Sequence, residues 1–180
     1  TGAALVVRTL TMLGIKHRIF LPDRVEDGYG VSESAIRNGH QEGFGLLITV
    51  DCGITAGKKI EAARALGMDV IIIDHHRVPE EGAPPANAVL NPRQQDCPYE
   101  FKELSAAGLA FKFAQALLGN KAYDFLDLAA LSTVCDVAPL ESENRIIVRR
   151  GLEILSERKN PGIKAMIESA CVKTRTLNVG

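Results

Sequence analysis

The sequence has few aromatic residues, almost no net charge and no long apolar run. Aromatic residues make up 5% of its 180 residues, and the formal net charge is −1. This balance excludes the overall basic character that marks many nucleic-acid-binding domains. A polyanion would therefore have to be held locally, by metal ions and a few arginines. We find neither an apolar run near the length of a membrane span nor a signal-peptide pattern, so a membrane or secreted protein has no support.

The sequence also lacks any CxxC pair among its four cysteines, which are Cys52, Cys97, Cys135 and Cys171. Paired motifs of this kind usually hold zinc or carry out redox chemistry. Isolated cysteines are typical of reduced thiols in a cytosolic protein. We therefore predict a cytoplasmic location.

What remains is the composition of a globular protein, with 46% hydrophobic residues and enough length for one domain with a sizeable core. The hydrophobic patterns predict a part rich in βαβ units followed by a part rich in helices, which is an α/β fold with a parallel sheet. Strands are expected at 16–21, 46–50, 68–74 and 88–90. Helices are expected from the start of the chain to Gly14 and at 32–38, 56–66, 105–118, 123–135, 144–156 and 162–169.

Two of these strands run directly into acidic residues. Residues 71–73 are three isoleucines followed by Asp74, His75 and His76, and residues 46–50 lead into Asp51. A strand, a helix and a second parallel strand form a right-handed crossover, so both strands should end at the same edge of the sheet. Because ligands bind at this edge in open α/β sheets, two acids and two histidines there predict a site for a divalent metal ion.

Each candidate ligand also has a plain structural explanation. Asp51 could cap a helix or form a salt bridge, and the two histidines could be hydrogen-bonded loop residues. Because neighbouring side chains at a strand end point to opposite sides, we expect one histidine to bind metal and the other to face substrate. Asp74 would then orient an imidazole by accepting its free N–H.

Asp136 is the remaining candidate, since it ends the apolar segment 126–134. It is either a metal ligand or a carboxylate in a salt bridge at a helix end. Carboxylates with imidazole suit Mn²⁺ or Mg²⁺, and zinc has no cysteine cluster to hold it. A pair of such ions typically serves the hydrolysis of a phosphoester.

The Asp74-His75-His76 triplet resembles the signature of the DHH phosphoesterase superfamily, and further blocks resemble the RecJ-type single-strand-specific exonucleases in that family. They occur in the family's order and cover most of residues 1–155. The blocks are Arg24-Val25-Glu26-Asp27-Gly28-Tyr29-Gly30, Leu47-Ile48-Thr49-Val50-Asp51-Cys52-Gly53-Ile54, Asn87-Ala88-Val89-Leu90-Asn91-Pro92, Ala106-Ala107-Gly108-Leu109-Ala110-Phe111-Lys112, Asp136-Val137-Ala138-Pro139-Leu140 and Glu143-Asn144-Arg145.

The resemblance implies a two-ion centre that uses Mn²⁺ or Mg²⁺. Asp51 would bridge the two ions, and His75 and Asp136 would bind one of them. His76 would lie near the scissile phosphate, and we expect His76 and Asp74 to serve the catalytic step.

The resemblance also implies contacts with the substrate. Arg24 would hold a terminal phosphate, a task for which the guanidinium fork is suited. Asn144 and Arg145 would touch the nucleic-acid backbone. A surface position outside the site remains the alternative for each of the three.

The function implied is metal-dependent exonuclease action on single-stranded DNA, from the 5′ end, in recombination and repair. The implied partners are single-stranded DNA and a single-strand-binding protein or helicase, with no membrane. Two alternatives remain: a phosphoesterase of the same superfamily for oligoribonucleotides, cyclic dinucleotides or pyrophosphate, and a non-catalytic nucleic-acid-binding relative. Metal titration distinguishes the last of these.

We expect residues 1–155 to form the catalytic domain and residues 156–180 to begin a helical connection to a further domain. The family's Asp-x-Asp-Gly block, which supplies two more metal ligands, has no counterpart before the first helix. We therefore expect a first strand to precede Thr1 and this chain alone to be inactive or nearly so.

Overall fold

The structure is a computed structural model that describes residues 1–22, 30–170 and 177. Its chain forms two compact units: residues 14–102 make one, and residues 1–13 together with 103–180 make the other. In chain order the elements are α1 (Gly2–Met12), α2 (Glu33–Gln41), β1 (Leu46–Val50), α3 (Gly57–Ala65), β2 (Asp69–Ile73), β3 (Ala88–Leu90), α4 (Ala106–Leu118), a 3-10 helix (Gly119–Phe125), α5 (Leu126–Cys135), α6 (Ser142–Ser156) and α7 (Pro161–Ser169).

A parallel three-stranded sheet in the order β1-β2-β3 forms the centre of the unit 14–102. The central strand carries the core, since Val70, Ile72 and Ile73 have no exposed surface. Ile36 of α2 and Ile60 of α3 pack with Val70 and Ile72 in one apolar cluster. The helix α3 connects β1 to β2, so the carboxyl ends of both strands lie at one edge, as the sequence predicts.

The other unit is helical, with α1 packed on α4 and α5, and α5 packed on α6. Gly151 lets α5 and α6 approach closely. A Cβ there would lie 2.3 Å from both the Ala130 Cβ and the Leu126 carbonyl oxygen. The α-rich second part of the chain is therefore confirmed. Every helix in the described ranges is too short or too polar to cross a lipid bilayer.

The predictions for β1, β2, β3 and α4 are confirmed to within one or two residues. The strand predicted at 16–21 is wrong, because that segment has no strand pairing in the structure. Its apolar side chains remain exposed: Ile19 by 48%, Phe20 by 43% and Leu21 by 73%. Alternation of apolar and polar residues therefore predicts a strand only where a partner strand can pair with it and a core can bury its apolar side chains.

Several helix boundaries also differ from the predictions, including the end of α1 at Met12 and the start of α6 at Ser142. We expected α2 to end at residue 38, before Gly39. The helix instead continues through Gly39 to Gln41. Threonine is a favoured N-cap residue, so the sequence predicts Thr55 as the N-cap of α3. The N-cap is instead Ala56, because a turn in which Ala56 N donates to Gly53 O delays the helix. The predicted helix 123–135 is a 3-10 turn followed by α5. Gly28 and Gly30 predict a turn at 27–30, and this segment lies outside the described residues except for Gly30.

Candidate metal centre

Asp51 is the first residue after β1, and its backbone is turned sharply. Its N–H donates to Ile73 O at 2.9 Å, which extends the pairing of β1 with β2. Its φ of 63° lies in the left-handed region, which aspartate tolerates better than most residues. The turn leaves the carboxylate about half exposed at the end of the sheet, with 51% of its side-chain surface accessible.

Gly53 completes this turn, and only glycine fits there. Its φ is 110°, and a Cβ at this position would lie 2.5 Å from Thr49 Oγ1 and 3.2 Å from Thr49 Cβ. Residues with a side chain rarely adopt such a φ, and the Thr49 side chain leaves no room for a Cβ. The glycine of the Asp51-Cys52-Gly53 run therefore allows the tight path that presents Asp51.

Asp74 is the first residue after β2 and is almost completely buried, with 1% exposed. Its Oδ2 accepts a hydrogen bond from Ile54 N at 3.0 Å. Its Oδ1 accepts from His76 N at 3.2 Å and lies 2.6 Å from His76 Nδ1. Because an ionised carboxylate only accepts, the proton of the neutral His76 imidazole belongs on Nδ1. Asp74 therefore orients His76, and Nε2 of that ring carries the lone pair.

His75 follows Asp74 in the chain and contacts Asp51. Its Nε2 is 3.3 Å from Asp51 Oδ1, and the rings of His75 and His76 meet edge to face at 4.6 Å. The hydrogen bond from His75 is the main cause that lowers the pKa of Asp51 below its usual 3.8, against the opposing effect of burial. Asp51 is consequently a carboxylate at neutral pH.

Asp51, His75 and His76 form a cluster whose candidate ligand atoms all lie within 4.8 Å of one another. One carboxylate and two imidazoles are a donor set that suits Mn²⁺ well and Mg²⁺ through the carboxylate. The lowered pKa of Asp51 fits this use, because a metal ligand must be deprotonated. The residues present therefore fit a divalent ion.

An open cavity of about 630 Å³ adjoins the cluster. Asp51, Gly53, Asp74 and His76 line it together with the start of α3, including Lys58. Cys52 also lines this cavity, and its thiol is protonated at neutral pH. Burial, aided by the charges of Asp74 and Asp51, raises the pKa of Cys52 to about 11.

Asp136 belongs to the other unit, where it is the C-cap of α5 and is exposed. Ser132 Oγ donates to Asp136 Oδ2 at 3.2 Å. The helix closes in a Schellman motif, with Val137 N donating to Val134 O and Ala138 N to Thr133 O, both at 3.1 Å. The carboxylate is therefore held at a defined helix end, and its use as a ligand stays a prediction.

The three predicted substrate contacts differ in accessibility. Asn144 has no exposed surface, and its Nδ2 donates to Glu103 O at 2.7 Å and Pro139 O at 3.0 Å. In this structure it therefore contacts protein backbone and presents nothing to a strand. Arg145 is exposed on α6, and Arg24 lies outside the described residues.

The sequence predictions omitted Asn91. It is the first residue after β3, it is 3% exposed, and its Nδ2 donates to His76 O at 2.9 Å. A signal for it was present, because Asp51, Asp74 and Asn91 are the polar residues at the carboxyl ends of three predicted strands. Polar residues at equivalent strand ends should be considered together.

The chain matches the family model described as "DHH family, N-terminal domain" over residues 1–133. It is 44% identical over 168 residues to the single-stranded-DNA-specific exonuclease RecJ of Bacillus subtilis. The aligned residues are 93% of this chain and 21% of that protein. The Escherichia coli protein of the same name is 39% identical over 188 residues, which cover 94% of the chain and 32% of that protein. The chain thus spans between a fifth and a third of the length of these relatives.

Solved structures give the same result. A structure of exonuclease RecJ bound to manganese matches with a TM-score of 0.82 and 34% identity, over 96% of this chain and 44% of that one. A structure of RecJ in complex with Mn²⁺ from Thermus thermophilus matches with a TM-score of 0.76 and 30% identity, over 97% of this chain and 25% of that one. The α/β fold expected from the sequence is confirmed by these matches.

Proposed function

Because this chain belongs to the DHH family, we propose that it forms the metal-binding part of an exonuclease that hydrolyses phosphodiester bonds in single-stranded DNA. The observation that carries the proposal is the cluster of Asp51, His75 and His76, in a fold that resembles manganese-bound RecJ. The names of the relatives support the substrate, since they are single-stranded-DNA-specific exonucleases. They also favour this reading over a small-substrate phosphoesterase and over a non-catalytic relative.

In this proposal Asp51, His75 and Asp136 would hold Mn²⁺ or Mg²⁺. When bound, such ions activate water and stabilise charge on the oxygens around the reacting phosphorus. The oxygen of Asp51 and the Nε2 atom of His75 are 3.3 Å apart, and binding one ion through both would release the Nε2 proton that His75 donates to Asp51. Asp136 is the third ligand that the resemblance to the family implies.

His76 and Asp74 form the proposed catalytic pair. Asp74 fixes the ring through Nδ1, so His76 Nε2 is the atom that can exchange a proton with the reacting group. Because Asp74 is buried and is also held by Ile54 N, it keeps the ring in one orientation. This role does not require His76 to bind the metal.

The wider assignment also rests on the relatives. We expect Arg24 to hold the terminal phosphate at the 5′ end and the exposed Arg145 to contact the strand, while the burial of Asn144 argues for a supporting role. Residues 1–155 would be the catalytic domain and 156–180 the start of a helical connection. A role in recombination and repair, a single-strand-binding protein or helicase as partner, and a cytoplasmic location stay predictions.

The test is a nuclease assay on the product of the complete reading frame that encodes this chain. A 5′-labelled single-stranded oligonucleotide is incubated with Mn²⁺, and duplex DNA and dinucleotides are compared under the same conditions. Asp51→Asn should abolish turnover, and Asp96→Asn, which changes an exposed acid of the same unit outside the cluster, should not. Faster hydrolysis of dinucleotides than of the long strand would favour the small-substrate alternative and overturn the proposal.

A further inference from the structure

The segment from Asp74 to His76 is attached to β3 at both of its ends. At the first end, Asp74 N donates to Leu90 O at 3.1 Å, which continues the pairing of the two strands. At the other end, Asn91 Nδ2 donates to His76 O at 2.9 Å. Leu90, the last residue of β3, thus sets the position of Asp74, and Asn91, which follows it, sets that of His76.

Asn91 is itself held rigidly. Its Oδ1 accepts from Arg93 N at 2.8 Å, and its carbonyl oxygen accepts from Gln94 Nε2 at 3.0 Å. With 3% of its surface exposed, the side chain is shielded from water that could replace the bond to His76. Its amide is therefore a fixed donor and the carbonyl of His76 is its fixed acceptor.

The imidazole of His76, by contrast, is half exposed, with 53% of the side-chain surface accessible. Apart from the edge contact with His75, the contacts that orient it come from Asp74 Oδ1, which binds both its ring Nδ1 and its backbone N–H. Those two bonds require the His76 backbone to stay close to Asp74. A backbone free to rotate would carry the ring away from the carboxylate.

We propose that Asn91 is a positioning residue for His76, whose backbone it holds in the place where Asp74 can fix the imidazole. This inference rests on the proposed function, in which His76 Nε2 faces the reacting phosphate. Asn91 contacts neither metal nor substrate and acts only through His76. Its loss should therefore reduce the rate of the chemical step and leave the binding of the strand almost unchanged.

The chain offers a matched control at the opposite end of the same strand. Asn87 precedes β3, and its Oδ1 accepts from Val70 N at 2.8 Å while its Nδ2 donates to Asp69 Oδ1 at 2.7 Å. It also accepts from Arg64. Asn87 thus ties β3 to β2 as Asn91 does, but at the amino ends of the strands, away from the cluster.

The experiment compares Asn91→Ala with Asn87→Ala in the product of the complete reading frame. For Asn91→Ala we expect kcat with Mn²⁺ to fall about tenfold, which is the loss of one well-formed hydrogen bond, and KM to change by less than about twofold. For Asn87→Ala we expect a lower melting temperature with kcat unchanged per folded molecule. Equal effects of the two variants on kcat would overturn the proposal.

A second readout needs neither activity nor metal. Long-range proton–nitrogen NMR spectra of the metal-free chain should show His76 as one species protonated on Nδ1. In Asn91→Ala this signal should broaden or move toward a mixture of tautomers, and in Asn87→Ala it should stay as it is. An unchanged His76 signal in Asn91→Ala would contradict the proposal.

The two readouts distinguish a failure of the proposed function from a failure of the role proposed for Asn91. If the wild-type protein cleaves no strand, the proposed function fails, and the NMR comparison still decides the role of Asn91. If Asn91→Ala does not fold, hydrogen exchange in the wild-type chain decides. The side-chain amide protons of Asn91 should then exchange at least tenfold more slowly than those of exposed Asn38, and equal rates would exclude the bond to His76.

Discussion

The Nε2 atom of His75 lies 3.3 Å from Oδ1 of Asp51, although the two residues are 24 positions apart in the chain. They meet because β1 and β2 are adjacent parallel strands and each ends one or two residues before its ligand. The contact lowers the pKa of Asp51 below its usual value, which widens the pH range over which this carboxylate is ionised.

The first prediction concerns metal binding by the chain. Asp51→Asn keeps the size of the side chain but removes its charge and one acceptor. We expect Mn²⁺ affinity, measured by isothermal titration calorimetry, to fall more than about tenfold, because loss of a ligand costs at least as much as loss of a residue that supports one. Asp96→Asn should bind as the wild type does, and an unaltered affinity in Asp51→Asn would refute the assignment.

The second prediction concerns the turn after Asp51. Gly53→Ala should destabilise the chain by about 2 kcal/mol or more, because its φ of 110° strains an alanine and the added Cβ meets Thr49. Gly57→Ala is the matched control four residues later, since a Cβ there meets nothing within 4 Å. Urea unfolding measures both. The idea is wrong if the two variants unfold at the same denaturant concentration.

The third prediction concerns Val137, whose side chain is 86% exposed and whose φ is 53°. A β-branched residue is unfavourable at this position of a Schellman motif, where glycine is usual. Val137→Gly should therefore stabilise the chain by about 1 kcal/mol in thermal unfolding. Ile146→Gly, an exposed apolar residue inside α6, should instead destabilise it by about 1 kcal/mol. Destabilisation by both would contradict this account.

The fourth prediction concerns the thiol beside the cluster. With its pKa raised from 9.0 to about 11, Cys52 should form thiolate about a hundredfold less often at pH 8 than an unperturbed cysteine. Iodoacetamide should therefore modify exposed Cys135 well before Cys52 in metal-free chain, as read by peptide mass spectrometry. Reaction of Cys52 at a rate similar to that of Cys135 would show that the thiol is not shielded as the structure indicates.

The sheet and much of the cluster could be predicted from sequence, for physical reasons. The isoleucines of β2 and the apolar run of β1 have to be buried, and a right-handed crossover then brings the residues after them together. This reasoning places Asp51 near His75 without any tertiary information. It fails for residues 16–21, whose alternation finds no partner strand, because pairing depends on the whole fold.

The finer placement of side chains could not be read in this way. Which histidine Asp74 holds depends on the backbone path of two residues, and the structure shows that it is His76. The burial of Asn144 depends on how the start of α6 packs near Glu103 and Pro139, which periodicity does not report. The positions of the strand ends determine which residues lie close together. The local loop geometry determines which hydrogen bonds and contacts each of these residues makes.

The claim that unites these proposals is that Asp51, His75 and Asp136 hold the same Mn²⁺ ion. The most direct measurement is an anomalous difference map from crystals of the full reading-frame product grown with Mn²⁺. The account predicts a peak in contact with all three side chains, which Asp51→Asn should remove. A peak that touches Asp51 and His75 but not Asp136, or no peak at this edge of the sheet, would contradict it.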